Sequence, residues 1–342
     1  ARVLELAPLD DHGVAEMTHA YLGLDAPLAG VDEFIATQSE GSPLYVEELL
    51  AGLISTGSLS NAGDGWVVGN ELRVRAPASI IDSVRSRLDA LGSGGRNVLS
   101  AAAVVGRRFD WQLLAEIASV DEPVVSDVLR EAVAVQLVTV DNGEFVFRHA
   151  LIHQAVLDDL LPPETVRLAE RAVAAIERAH SDLPGAWCEL AAALAETAGD
   201  GERAGRHLIT SSRRSARRGA FSTAAHALEH ARRITSGSTR RLVEHELVSV
   251  WSRVGRAAAA IELGTQLLAT DADLTPADRL ELLNSIALAA LAVGDMAAAA
   301  SASDEAMAVA AADGTDTGRR GRAEALAARV AVELGDTVQA DR

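Results

Sequence analysis

The sequence predicts a mainly α-helical protein in which a compact helix-and-hairpin module leads into a repetitive helical arm. Three observations carry this. Over 145–161, FVFRHALIHQAVLDDLL, two-residue alternation around Val146 gives way at Ala150 to the helical spacing of Leu151, Ala155, Leu160 and Leu161. From residue 164 onward all segments have helical periodicity, and a pattern opened by glycine recurs. Apolar residues make up 49% of the chain but aromatics only 3%, so alanine carries much of the core, which suits closely packed helices.

Taken in order, 2–6 reads as a short strand ending at Pro8. Asp10 or Asp11 caps a helix to about Leu22, and 23–30 is a loop. A second helix spans 31–40 and stops at Gly41. Ser42-Pro43 restarts a third over 44–56, with proline in the first turn, and Gly57 closes it. Residues 66–68 and 72–75 read as a hairpin around Gly69-Asn70. Pro77 ends it. Helices over 80–91, 94–105, 110–118 and 121–134 are followed by strands at 136–140 and 144–148, joined by Asp141-Asn142-Gly143, a good tight turn. Helices followed by a β-wing are the signature of a winged helix; an unrelated α+β module is the competing reading. His149 stands at the strand-to-helix junction, where free N–H groups and the helix dipole favour a phosphate. Pro162-Pro163 stops the helix that follows.

In the arm, Gly219, Gly255 and Gly294 are each followed at +5, +9 and +12 by small or apolar residues: Ala224, Leu228, Ala231; Ala260, Gly264, Leu267; Ala299, Ser303, Ala306. Those offsets share one helical face, where small side chains let two helices approach closely. Gly335-Asp336 opens a truncated fourth copy. The separations, 36, 39 and 41 residues (219 to 255, 294 and 335), are near the tetratricopeptide (TPR) period of 34 but irregular. Chance similarity in an alanine-rich chain is the alternative. The resulting organisation is 1–78, 79–163 and 164–342.

Composition narrows function. The net charge is −18, which disfavours wholesale binding to nucleic acid or anionic membranes. Asp121, Glu122, Asp127 and Glu131 surround Arg130 on the third helix of the would-be winged module, so that helix would repel DNA phosphates; no direct DNA contact is expected of this segment. A single cysteine, Cys188, excludes an internal disulfide and a cysteine-based zinc site. No apolar run approaches 18 residues and the N-terminus has no signal-peptide pattern, so a cytoplasmic, membrane-free location is expected. There is no lysine among the 31 basic residues. That removes the phosphate-loop lysine, Schiff-base chemistry and lysine general bases.

Candidate constellations are weak one by one. His149/His153 and His226/His230 are spaced i, i+4, but neither pair has a third ligand in view, and polar surface is the default reading. Glu47-Glu48 and Asp158-Asp159 are neighbours that point apart on a helix, hence poor acid/base pairs. No catalytic residue and no metal ligand is assigned. The arginine run from Arg203 to Arg218, with Arg232, Arg233, Arg240 and Arg241, binds an anion or acidic partner on one reading. On the favoured reading it is a solvated face paired with carboxylates.

Taken together, Pro8-Leu9, EGSPLYVEELL over 40–50, Trp66, PASIIDSVRSRL over 77–88, AAAVVG over 101–106 and FRHALI over 147–152 resemble the signal-transduction ATPases of the STAND class. More narrowly, the chain looks like bacterial ATP-dependent LuxR-type regulators, the maltose-regulator-like proteins, and the ATPase-TPR part of related adenylate cyclases. The resemblance implies a helical lid (1–78), a winged helix (79–163) and a TPR-like α-solenoid (164–342). It implies that Gly41, Ser42 and Pro43 form the lid's GxP motif beside adenine. Arg148 and His149 would begin the MHD-type motif, whose histidine senses the β-phosphate of ADP. Ala150 stands where that motif has its acidic residue.

Walker A and B motifs and a C-terminal helix-turn-helix are not in the sequence; the expectation is that they precede Ala1 and follow Arg342 in a parent protein. Two functions follow. One is the regulatory segment of an ATP-dependent transcriptional switch. ATP or ADP is then bound by the parent and not tightly by this chain alone, the ATPase core is a partner in cis, and an inducer or protein sits on the repeat arm, with self-association in the open state. The other is a stand-alone TPR scaffold for protein–protein contacts without a nucleotide role. A free-standing enzyme is the remote third.

Overall fold

A computed structural model describes residues 7–24, 28, 30–61, 66–69, 78–271, 273–312, 317–333 and 335. The strand expected at 2–6, the 72–75 half of the hairpin and Asp336 lie outside the described residues. The chain is mainly α-helical and divides into two compact units, 1–181 and 182–342.

In the first unit, α1 (Asp11–Leu22) starts where the Asp10 side chain accepts a 2.8 Å hydrogen bond from the Gly13 N–H, and it ends on left-handed Gly23. α2 (Val31–Ser39) ends on two successive left-handed residues, Glu40 (φ 50°) and Gly41 (φ 75°). α3 (Pro43–Ser55) follows at once, its proline at the first position, where a missing N–H costs nothing. The three helices pack on one another around Val14, Ile35, Val46, Leu49 and Leu53. Trp66–Val68 is a strand (β2), but its described partner is upstream: β1 (Leu59–Asn61), with Leu59 opposite Val68. Leu59 is fully buried, and that burial sets the register. The Trp66 indole N–H donates to the Leu22 carbonyl, tying the hairpin to the end of α1.

The rest of this unit holds α4 (Ala78–Ala90), α5 (Gly92–Val105), β3 (Arg108–Phe109), a 3₁₀ turn (Trp111–Leu113), α6 (Leu114–Ala118), α7 (Glu122–Ala134), β4 (Val138–Asp141), β5 (Glu144–Phe147), α8 (Ala150–Asp158) and α9 (Pro162–Ala179). The strands form one antiparallel sheet in the order β3-β5-β4. Asn142 (φ 52°) and Gly143 (φ 84°) make the two-residue turn that suits strand twist. β3 is not visible in the sequence, since two residues carry no alternation.

The helix after His149 is shorter than its apolar pattern suggests. α8 stops at Asp158, Leu160 and Leu161 fall outside it, and Leu161 is exposed. Pro162 and Pro163 open α9 rather than merely ending α8, and the Glu164 side chain accepts from the Leu161 N–H. α9 packs against α5 and α6, so the helix expected to begin the repeat arm is part of the first unit. Its stripe of Leu168, Ala172, Val173 and Ile176 is buried.

The second unit is a TPR-like α-solenoid: α10 (Trp187–Thr197), α11 (Gly201–Arg217), α12 (Phe221–Ile234), α13 (Gly237–Trp251), α14 (Ala257–Thr270), α15 (Pro276–Val293), α16 (Met296–Ala312) and α17 (Thr317–Glu333). Each helix packs on the next, and α11, α13, α15 and α17 also pack in series, forming one side of the arm. Gly219, Gly255, Gly294 and Gly335 have φ between 77° and 80°; the first three are the turns inside successive hairpins. The +5, +9, +12 residues are buried as the spacing requires. At Gly264 a Cβ would come within 2.8 Å of Ile286, so this crossing needs glycine or a shifted isoleucine. Gly199, with Ala204, Leu208 and Ser211 at the same offsets, opens an earlier copy that the glycine pattern had not included.

Candidate functional site

The two separated motifs meet. Phe147, fully buried, ends the central strand β5, and the backbone then runs extended through His149 (φ −137°, ψ 149°), the residue capping α8. The left-handed pair at 40–41 turns the α2–α3 junction toward the same place. Glu40 carries the contact. Its Oε2 accepts from His149 Nδ1 at 3.2 Å, its Oε1 accepts from the Ala150 N–H at 3.3 Å, and Arg107 forms an ion pair with the same carboxylate. Tyr45, in the first turn of α3, sets its ring edge-on to His149 at 5.2 Å.

Of the residues singled out in the sequence, Gly41 is buried, Ser42 half-buried and Pro43 exposed. The Leu9 N–H donates to the Gly41 carbonyl at 2.8 Å, so the Gly-Ser-Pro turn is clamped to the segment before α1. His149 is half-buried. Arg148 is exposed and held by its own backbone N–H to the Leu137 carbonyl. The structure thus brings His149 within one residue of the Gly-Ser-Pro turn.

The contributors missed in the sequence are Glu40, Tyr45 and Arg107. The only local hint was the place of Glu40 immediately before the turn. That it would reach a helix terminus more than a hundred residues away is a tertiary fact.

Electrostatically the site is a carboxylate set among cations. Arg107 pairs with Glu40, and the charges of Arg87 and Arg148 reach the Tyr45 hydroxyl. Burial raises the Tyr45 phenol above its ordinary value, with the Glu40 charge adding to the rise and the two arginines opposing it. For Glu40, burial alone would raise the carboxyl from its ordinary 4.5. The hydrogen bond from His149, the charges of Arg107 and His149 and the Ala150 N–H together outweigh burial and lower it. A depressed acid contributes stability above its unfolded value and loses it as the pH falls through the folded one. Glu40→Gln is therefore expected to destabilise the chain by about 1–2 kcal/mol near neutral pH. The gap should close at pH values below the folded value. Urea midpoints measured at neutral and acidic pH check this, and a gap that stays constant with pH would rule it out.

The remaining constellations resolve into structural roles. His153 donates to the Ala103 carbonyl at 2.8 Å and packs on Phe147; burial lowers its pKa. His230 is bonded to Glu196. Asp159 pairs with Arg85 and Arg96, while Asp158 accepts from Gln154. Among the described residues no group of three or more His, Cys, Asp or Glu is placed to hold a metal ion. No helix among them is long and apolar enough to cross a membrane. Asp121, which caps α7, and Glu122, Asp127 and Glu131 on it are all exposed, and Arg130 is paired with Asp127. In the arm, Arg213 pairs with Glu246, Arg232 and Arg240 with Glu244, and Arg241 with Asp271 and Asp273, which is the solvated, paired face for these members of the run.

No family model matches this chain, and no curated protein matches it. Among solved structures the chain is similar to a signal transduction ATPase with numerous domains (STAND) bearing a tetratricopeptide repeat sensor, from Pyrococcus horikoshii. The identity is 11% and the TM-score 0.41, over 97% of this chain and 52% of that one. The chain therefore spans about half the length of that protein.

Proposed function

We propose that this chain is the regulatory segment of a nucleotide-dependent switch of the LuxR-type STAND class, with 1–78 as helical lid, 79–163 as winged helix and the repeats as sensor arm. The observation that carries the reading is the Glu40–His149 contact. At the N-terminus of α8, a ready-made anion site, the anion is the carboxylate of Glu40, held also by Arg107. In the parent, a nucleotide phosphate would take the histidine, the Ala150 N–H and Arg107 in place of Glu40, with adenine beside Gly41-Ser42-Pro43. ADP would thereby hold lid and winged helix closed on an ATPase core supplied in cis. An inducer or protein on the arm would favour an open, ATP-bound, self-associating form by population shift.

Two features support a signalling rather than a DNA-reading role for the winged helix: the exposed acid face of α7 and the use of its only arginine within that helix. The chain alone is expected to bind ATP weakly and not to hydrolyse it.

In the full-length parent, His149→Ala should speed ADP release about tenfold or more, equivalent to losing one charge-assisted contact of about 1.5 kcal/mol or more, and raise basal output. Stopped-flow release of a fluorescent ADP measures it. An unchanged off-rate, or saturable ATPase activity from this chain alone, would contradict the switch reading and favour a helical scaffold.

A further inference from the structure

Several arginines of the arm engage carboxylates, as those above do, and so do Arg256 with Glu229 and Arg279 with Glu305. Three arginines in one place, among the described residues, do not. Arg217 ends α11, Arg253 follows α13 with its guanidinium 5.5 Å over the Phe221 ring, and Arg322 lies in α17. All three line one recess of ≈ 330 Å³ on the side of the arm built from α11, α13, α15 and α17.

The recess contains a second anomaly. Ser212 is 1% exposed and its hydroxyl has no hydrogen-bond partner, although it lines this same space. A buried polar group ordinarily finds a partner. An adjoining recess of ≈ 310 Å³ shares Ser249, Arg253, Glu281 and Arg322 and adds the apolar Leu280, Leu288 and Leu326. It also adds Asn284, whose side-chain oxygen is likewise buried without a partner.

The charge balance points one way. Glu246, which lines the recess, is engaged by Arg213, so it is not the counter-charge of the three arginines, in a chain of net charge −18. Guanidinium groups gathered without carboxylate partners suit a planar or tetrahedral oxyanion, which they grip bidentately.

We propose that this double recess binds a small organic anion, a phosphate or carboxylate attached to a hydroxylated body. Arg217, Arg253 and Arg322 take the oxyanion with Ser212 as an additional donor, while Ser249, Asn284 and the leucines receive the body. Its size is that of a small-molecule site. An extended acidic peptide fits less well, because Arg213 and Arg241, the next cations along the same side, are already neutralised by Glu246, Asp271 and Asp273.

The test is calorimetric titration of the 342-residue chain with glucose 6-phosphate, inorganic phosphate, malate, glucose and an oligoglutamate peptide at constant ionic strength. A saturable isotherm is expected for the sugar phosphate or the dicarboxylate, with the preferred one naming the oxyanion, and affinity falling as salt rises. Arg253→Gln and Arg322→Gln should each weaken it at least tenfold. Arg240→Gln, which alters a pair elsewhere, should leave it unchanged. Thermal unfolding confirms that each variant is folded; should Arg253→Gln fail to fold, Arg322→Gln, exposed on α17, decides. Glucose binding as well as its phosphate, binding only of the peptide, no saturable anion, or wild-type affinity in the variants would each overturn the proposal. The α8 terminus of the first unit is also open to a phosphate in the reading above, so the isotherm is assigned by the variants: Arg253 and Arg322 lie in 182–342, and its loss in them is separate from the nucleotide reading, which stands on Glu40 and His149.

Discussion

Phe147→Ala is expected to destabilise the first unit by about 3–5 kcal/mol, the usual cost of emptying an aromatic site in a packed core. Its ring is completely buried, 5.5 Å from Phe109 and 5.2 Å from His153, on the central strand of the three-stranded sheet. Removing it leaves β3, β5 and α8 without their common filler. The His153 ring would border a void while its bond to the Ala103 carbonyl still holds it in place. Phe147→Leu keeps most of the volume and should cost less than about 1.5 kcal/mol. The measurement is the urea midpoint at unchanged slope. A shift below about 1 kcal/mol for the alanine variant would mean that the neighbours collapse freely into the gap. Two residues beyond Phe147 the chain reaches His149, so the alanine variant should also loosen the contact with Glu40. Weakening of the pH-dependent difference between Glu40 and Gln in that background reads this coupling.

Gly41→Ala is the second large effect, at about 2–4 kcal/mol. An L-residue at φ 75° costs about 1–2 kcal/mol. The added Cβ would also lie 2.2 Å from the Leu9 carbonyl oxygen and 2.9 Å from the Leu9 nitrogen. Those atoms are backbone and cannot rotate aside, and the Leu9 N–H is the donor to Gly41 itself. Relief therefore requires breaking that hydrogen bond, about another 1 kcal/mol. Gly57→Ala is the matched control: its φ is 76° and a Cβ there would meet nothing. The difference between the two variants, read by denaturant titration, isolates the steric part. Equal costs would show that the segment before α1 yields, and the Gly-Ser-Pro turn would then not be clamped as described.

Much of the fold was legible locally. Asp10, Pro43 and Gly57 mark helix ends through groups they supply or withhold within a turn of the chain. The Asn142-Gly143 turn and the glycines of the arm follow from which residues tolerate positive φ. Where the reading departed from the structure, the missing information was not local. The strand Leu59–Asn61, which carries no alternation long enough to read, pairs with Trp66–Val68 because Leu59 has a core to enter. β3 exists because β5 offers it an edge, and α9 belongs to the first unit because α5 and α6 cover its apolar stripe.

The candidate site divides along the same line. The sequence by itself determined that His149 would cap a helix, that a turn led by Gly41 would join two others, and that small residues at fixed offsets would face one another in the arm. These depend on backbone dihedrals and on spacing along a single helix. Only the tertiary structure decided that the carboxylate of Glu40 would fill the terminus His149 caps, and that Arg217, Arg253 and Arg322 would gather without carboxylate partners on one side of the arm. Such meetings are set by how separate helices pack, and no local preference encodes which side chains the packing brings within reach.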